Sequence, residues 1–172
     1  MTAASPAETA SAEEPQLQRV QANGIALAYF EWRAHLRGQQ PTLLLVHATG
    51  FHGRVWDQVV HHLPNRHVIA VELRGHGRSE AAGFDDWRPF GQDLAGFAAA
   101  MDLQGAVGIG HSMGAHALVQ AAAFQPGRFS QLVLADPVML APADYHLPAP
   151  PPGTLHPAAG RKNQFEIGRA HV

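Results

Sequence analysis

The feature that most constrains this sequence is the segment Gly110-His111-Ser112-Met113-Gly114, which joins an apolar run to an alanine-rich stretch. The run AVGIG is typical of a short buried strand, and the residues after Ser112 have the composition of a helix. A direct strand-to-helix turn leaves no room for a Cβ at the two glycines and holds the serine in a strained backbone conformation above the sheet. A serine hydroxyl is a poor nucleophile unless its surroundings activate it, so the pattern G-x-S-x-G predicts that Ser112 is a nucleophile.

A dinucleotide-binding loop is the main alternative for a glycine-rich turn between a strand and a helix. Gly108 and Gly110 match the first two positions of G-x-G-x-x-G, but the next glycine, Gly114, comes one residue too late. The turn also follows the third predicted parallel strand, whereas the dinucleotide fingerprint follows the strand that opens a sheet. A glycine-rich turn with a serine that merely caps the helix is a second alternative. Both are weaker interpretations than a nucleophile.

Strands and helices alternate along the rest of the chain. Asn23-Gly24 lies between two alternating apolar stretches and predicts a β-hairpin. Continuous apolar runs predict buried strands over residues 42–47 and 67–73, and shorter apolar runs predict a third and a fourth strand over 106–110 and 131–138. Amphipathic or alanine-rich segments predict helices over 54–63, 86–103 and 112–126. This order predicts an α/β fold, with a mostly parallel, doubly wound sheet and helices on both faces.

Four segments together resemble the α/β-hydrolase superfamily, namely LLLVHATGFHGRVWDQVV, VIAVELRGHGRS, VGIGHSMGAHAL and LVLADPV, in that order and at the family's spacing. Alone, G-x-S-x-G is a weak pattern, but the four segments are specific as a set. Ala48 stands where the family's oxyanion loop usually has glycine, and Glu72 replaces the usual aspartate. The resemblance covers residues 17–136 and implies a partial α/β-hydrolase fold of the lid-bearing, serine-nucleophile type, with the lid and last strands missing.

The resemblance also implies roles for residues near Ser112. The Met113 amide would be one oxyanion-hole donor, and the other would be the Thr49 amide, with Gly50 as the fallback. His47 and His76 are expected to brace loops rather than act as the base. His111 is expected to line the pocket at most.

The acid and base that should serve Ser112 are harder to place. In this superfamily they follow the serine in the order acid, then histidine. Asp136, at the end of the fourth parallel strand, is a weak candidate for the acid, because some relatives use that position while many carry such an LADP aspartate without a catalytic role. His146 and His156 lie in proline-rich sequence unlike a strand-end loop, so the catalytic histidine stays unassigned.

Composition divides the chain into four parts. Residues 1–16 are expected to be a disordered lead-in, and 17–138 the N-terminal part of the α/β-hydrolase core. Residues 139–165 are proline-rich and are expected to begin a lid or excursion. The ending EIGRAHV, residues 166–172, resembles a translated sequencing adapter and is expected to be non-native, which resequencing across the Phe165 codon would test.

Composition also limits the classes of partner and cofactor that this chain is expected to bind. A net charge of -2 provides no electrostatic argument for nucleic acid or an anionic membrane, and no apolar run approaches membrane-spanning length. Zero cysteines exclude disulfides and thiolate metal sites. Among the 12 histidines, His61, His62 and His67 form the densest cluster, but adjacent helical residues point about 100° apart, which disfavours a zinc site there. A cytoplasmic protein without metal is expected; its oligomeric state is left open.

These features predict a cofactor-free serine hydrolase that acts on a small-molecule ester or similar acyl compound. The 172-residue chain is expected to be a truncated fragment without efficient turnover, since it lacks a convincing catalytic histidine. The serine disfavours epoxide opening and dehalogenation, for which relatives usually have aspartate at the same position. A non-catalytic ligand-binding module of the same fold is the alternative.

Overall fold

A computed structural model describes residues 14–139 of the chain. The strands are β1 (Gln16–Ala22), β2 (Ile25–Trp32), β3 (Leu43–Val46), β4 (Val68–Val71), β5 (Ala106–His111) and β6 (Phe129–Ala135), and the α-helices are α1 (Asp57–His61), α2 (Arg88–Ala100) and α3 (Met113–Phe124). They form one six-stranded sheet in the order β1-β2-β4-β3-β5-β6. The predicted α/β class and the alternation of strands and helices are confirmed.

The hairpin predicted at Asn23-Gly24 joins β1 to β2. Asn23 and Gly24 both have positive φ, at 50° and 79°, as a two-residue type I′ turn requires. The antiparallel register pairs Ala22 with Ile25 directly across the turn. β1 begins at Gln16, one residue before the predicted start of the core at residue 17.

Strands β3 to β6 are parallel, and β2 pairs antiparallel with β4, so the sheet is mostly parallel. All four residues of both β3 and β4 are buried, which explains why their sequences are uninterrupted apolar runs rather than alternating ones. β5 follows β3 in the sheet, so the Ser112 turn lies at the carboxyl end of a central strand. Ligand sites of open α/β sheets occur at such ends.

Two apolar clusters sandwich the sheet. One joins Leu44, Val46 and Ile69 to buried residues of α2 and α3, including Leu94 and Leu118. The other lies on the opposite face and is built from Phe30, Trp32, Leu43, Leu45, Val60, Val68 and Ala70, with Trp56 and Leu63 packed against it. Helices therefore cover both faces, as predicted.

The predicted helix over residues 54–63 is shorter than expected. A 3₁₀ turn, Gly53–Trp56, comes first, and α1 itself has only five residues. The Gly53 N–H donates to the buried Glu72 carboxylate at 3.2 Å, and the Arg54 N–H donates to His52 Nδ1 at 3.3 Å. These contacts anchor the entry to the helix and favour the tighter turn.

β6 forms an edge among the described strands, and its apolar residues Val133 and Leu134 are exposed. No helix within residues 14–139 is long and apolar enough to cross a membrane. The predicted lid segment and tail, from residue 140 onward, lie outside the described residues, as do residues 1–13.

Candidate active site

Ser112 connects β5 to α3 without an intervening loop. Its backbone has φ 52° and ψ −117°, a conformation that costs a non-glycine residue about 1–3 kcal/mol. α3 begins at the next residue, Met113, so the N–H groups of the helix N-terminus lie beside the serine. The strained backbone that the sequence predicts at this serine is present.

The two flanking glycines are required by close backbone contacts. A Cβ on Gly110 would lie 2.6 Å from the Ala115 nitrogen, inside the first turn of α3. A Cβ on Gly114 would lie 2.5 Å from the carbonyl oxygens of Val46 and His47, at the end of β3. Neither backbone can move away cheaply, so G-x-S-x-G is explained here by the packing of α3 against β3 and β5.

Both backbone polar groups of Ser112 are hydrogen-bonded. Its N–H donates to the Ala135 carbonyl, at the end of β6, at 2.9 Å. Its carbonyl accepts from the N–H groups of His116 at 3.1 Å and Val138 at 3.4 Å. The chain that leaves β6, residues 135–138, thus lies alongside the strained residue and contacts it on both sides.

Thr49 and Met113, the two predicted oxyanion donors, are brought together. The Thr49 hydroxyl donates to Met113 Sδ at 3.3 Å, although the residues are 64 positions apart. The Thr49 loop is a tight turn, in which the Phe51 N–H donates to the Ala48 carbonyl at 3.1 Å and Gly50 has φ 78°. The loop therefore lies beside the N-terminus of α3, although the role of the two amides stays a prediction.

His47 is fully buried and uses both ring nitrogens. Nδ1 lies 2.8 Å from the Ala48 carbonyl oxygen, to which it donates, and Nε2 accepts from the Leu73 N–H at 3.0 Å. Burial lowers the pKa of His47 to about 4, so the ring is neutral at pH 7. His47 ties β3 to the loop after β4, as the sequence predicts, and its lone pair is occupied.

Two other histidines, His76 and His111, lie near this edge of the sheet. His76 Nδ1 donates to the Arg74 carbonyl at 2.9 Å, and its ring lies 5.1 Å from that of His47. His111 is exposed and lines a cavity of about 300 Å³. The cavity is otherwise lined by His47, Ala48, Phe51, Val55, Trp56, Val59 and Ala135. The predicted lining role of His111 thus agrees with the structure.

Glu72 organises the loops of the site in a way that the sequence analysis missed. Its fully buried carboxylate accepts from the Gly53 N–H at 3.2 Å and the Arg78 N–H at 2.6 Å. A Cβ on Gly77 would clash with this carboxylate, and Gly77 also has positive φ. The sequence feature that could have revealed this role is the glutamate two residues before RGHGRS, where the family usually has aspartate. The longer glutamate side chain occupies the space that a Cβ on Gly77 would fill.

The predicted acid, Asp136, lies directly after β6 with φ 46° and an exposed side chain. The carbonyl of the preceding residue, Ala135, accepts a hydrogen bond from the Ser112 N–H, so the Asp136 backbone lies close to Ser112 in space. Its catalytic role stays a prediction. His146, His156 and His171 lie outside the described residues.

The three histidines of the candidate metal cluster do not converge. His61 and His62 are exposed, whereas His67 is buried and hydrogen-bonded to Thr42 and Glu31 at 2.8 Å each. Within residues 14–139 no three His, Asp or Glu side chains are grouped so that they could share a metal ion.

The fold and the Ser112 turn define an α/β hydrolase. Residues 43–171 match the sequence profile of the alpha/beta hydrolase family, which is most of the chain. The chain therefore belongs to the α/β-hydrolase family.

Individual relatives agree with this assignment. Lipase LipV of Mycobacterium tuberculosis is 37% identical over 100 residues, 56% of this chain and 37% of LipV. Esterase YbfF of Escherichia coli is 36% identical over 86 residues, 49% of this chain and 33% of YbfF. The crystal structure of a bacterial membrane phospholipase A superposes with TM-score 0.67 at 31% identity, covering 76% of this chain and 42% of that one. The matches thus span about a third of these curated relatives and less than half of the phospholipase.

Proposed function

We propose that this chain carries the nucleophile half of a cofactor-free serine hydrolase, with Ser112 as the nucleophile. The observation that carries the proposal is the backbone of Ser112, with φ 52° and ψ −117° at the start of α3. Strain of this kind persists at functional sites, where the surrounding structure over-determines it. It lifts the hydroxyl off the sheet and places it beside the positive end of a 12-residue helix.

In this mechanism Ser112 Oγ attacks the carbonyl carbon of an ester, and the carbonyl oxygen becomes an oxyanion. We propose that the Met113 and Thr49 amides donate hydrogen bonds to that oxygen, because the side chains of the two residues are in contact beside the N-terminus of α3. Each such donor is worth about 2.7–4 kcal/mol in the transition state. Ala48 in place of the family's usual glycine leaves the tight turn intact, since Gly50 supplies its positive φ.

We propose that the base that takes the Ser112 proton comes from outside residues 14–139. Within them, both ring nitrogens of His47 are hydrogen-bonded, and His76 Nδ1 donates to the Arg74 carbonyl. Asp136 remains the candidate for the acid that orients it. Without the base, we expect residual reactivity from the oxyanion hole and no efficient turnover; triad variants of other serine hydrolases keep about 10³–10⁴-fold catalysis over water.

The substrate class follows from the serine and from the relatives. A serine nucleophile suits acyl transfer, in which the alcohol of the ester leaves and water then releases the acyl group. The relatives described above include a lipase, an esterase and a phospholipase. We therefore propose a small-molecule ester or similar acyl compound as the substrate of the complete protein.

A non-catalytic ligand-binding module is the second candidate. It is favoured by the cavity of about 300 Å³ near the site, which is walled by apolar residues such as Phe51, Val55 and Val59. An apolar pocket of this size suits a small organic ligand. The two candidates differ in whether Ser112 is activated.

Labelling with a fluorophosphonate separates the candidates, because a serine beside an oxyanion hole forms the covalent adduct, slowly where its base is missing, whereas a serine without that environment does not. We expect one adduct on the 172-residue chain by intact mass, located at Ser112 by peptide mapping and lost in Ser112→Ala. Ser130→Ala is the matched control, since the Ser130 hydroxyl donates to the Gly105 carbonyl at 2.7 Å, at the opposite end of the sheet. Failure to label, while the chain still binds a small apolar ester reversibly, would favour the binding module.

A further inference from the structure

His116 is a buried polar residue that the G-x-S-x-G pattern does not require. It lies in the first turn of α3, four residues after Ser112, and its exposed fraction is only 3%. Its neighbours Ala115, Ala117 and Leu118 are apolar and fully buried. A buried imidazole at such a position calls for a hydrogen-bonding role, since a buried polar group is costly otherwise.

The ring of His116 is held between two elements. Nδ1 lies 2.8 Å from the Val138 carbonyl oxygen, and because a carbonyl only accepts, Nδ1 carries the proton. The Trp87 ring packs edge-on against the imidazole, with centroids 5.5 Å apart and planes at 85°. The side chain therefore has one defined orientation, toward the chain that leaves β6.

Val138 links this bond to the strained serine. Its N–H donates to the Ser112 carbonyl at 3.4 Å, near the long limit of a hydrogen bond, while its carbonyl accepts from His116. The Ala135 carbonyl accepts from the Ser112 N–H at 2.9 Å. Residues 135–138 thus contact Ser112 at two points, and the His116 side chain supports the weaker one.

We propose that His116 is a positioning residue, which holds residues 135–138 against Ser112 through Val138 and so maintains the strained backbone of the serine. The same bond fixes the direction in which the chain leaves the sheet after Asp136. The consequence for reactivity rests on the proposed function, whereas the consequence for the backbone does not.

Amide hydrogen exchange measured by NMR on the 172-residue chain tests the backbone part. In His116→Leu we expect the protection of the Ser112 and Val138 amides to fall about tenfold, the equivalent of one hydrogen bond, while β3 amides such as that of Leu44 keep theirs. His116→Asn places an amide donor near the position of Nδ1 and should restore most of the protection. His61→Leu, at an exposed histidine of α1, is the control and should change neither set.

Unchanged protection of Ser112 and Val138 in His116→Leu would overturn the proposal. So would an equal loss at β3, which would mean general destabilisation, or a failure of His116→Asn to restore protection. The fluorophosphonate labelling rate should fall in His116→Leu and recover in His116→Asn. If Ser112 is labelled in no variant, the serine-hydrolase function fails, and the exchange result still decides the positioning role.

Discussion

The two ends of the parallel strands each hold a hydroxyl group and a histidine, but in opposite arrangements. At the amino end, His67 Nδ1 lies 2.8 Å from Thr42 Oγ1 and Nε2 lies 2.8 Å from Glu31 Oε1, which is the connectivity of a hydroxyl–imidazole–carboxylate triad. At the carboxyl end, Ser112 has the strained backbone, and the two buried histidines of that end, His47 and His116, bond instead to backbone groups of the loops around them.

The amino-end network, formed by Thr42, His67 and Glu31, is buried. Thr42, His67 and Glu31 are 7%, 2% and 4% exposed, and the carboxylate also accepts from Gln18 and Arg37. Burial raises the pKa of Glu31, but hydrogen bonds from Arg37 and His67 outweigh it and hold the pKa below its usual value. Burial lowers the pKa of His67 in spite of Glu31, so the imidazole is neutral at pH 7, and its Nδ1 accepts a hydrogen bond from the Thr42 hydroxyl.

The comparison shows that a chain of hydrogen bonds does not by itself make a reactive site. The amino-end network fastens β2 to the starts of β3 and β4, and no substrate could reach its hydroxyl. The carboxyl end has backbone strain, a helix N-terminus and an adjoining cavity. Access and backbone geometry, rather than the imidazole, distinguish the candidate site.

The largest effect is expected from Gly114→Ala. Its Cβ would lie 2.5 Å from two carbonyl oxygens at the end of β3, so α3 would have to move away from the sheet. We expect the free energy of unfolding in urea to fall by about 3 kcal/mol or more. Gly83→Ala is the control, since a Cβ there meets nothing within 4 Å, and it should change stability by less than about 1 kcal/mol. Equal effects of the two variants would show that α3 does not pack so closely.

The next effect is a pH dependence that belongs to the carboxyl end. The pKa of His47 is about 4 in the folded chain against 6.5 for the free group, so the unfolded state binds more protons between these values. Stability should therefore fall as pH drops from 6.5 to 4, by up to about 3 kcal/mol from this residue. His67, whose pKa is also lowered, adds in the same direction.

The measurement is urea unfolding at several pH values between 6.5 and 4, for the wild type and His47→Gln. The slope of stability against pH should be smaller in His47→Gln, with the remainder due to His67 and other groups. Parallel curves would mean that His47 titrates normally and is not held neutral by burial.

The smallest effect sharpens the contrast between the two ends. Thr42→Val keeps the shape of the side chain but leaves the buried Nδ1 of His67 without its hydroxyl partner. We expect a loss of about 1–3 kcal/mol in the free energy of unfolding. Fluorophosphonate labelling of Ser112 should proceed at the wild-type rate, measured below the denaturation midpoint. A large drop in labelling would connect the amino-end network to the reactive site.

Local features of the fold could be predicted from the sequence. Asn23-Gly24 specified the hairpin, uninterrupted apolar runs specified buried parallel strands, and the two glycines around Ser112 specified the strained turn. The length of α1 could not be predicted from the sequence, because the 3₁₀ turn before it depends on the Glu72 carboxylate from a different loop.

The sequence alone determined where the backbone turns sharply, because the steric limits on φ and on a Cβ act within a few neighbouring residues. The tertiary structure decided which histidine meets which partner. The sequence groups His67 with the nearby His61 and His62, yet in the structure His67 forms hydrogen bonds with Thr42 and Glu31, which lie 25 and 36 positions away. His116 likewise meets Val138, 22 positions on. Such pairs form only when the sheet order brings distant strand ends together, and no local pattern encodes that order.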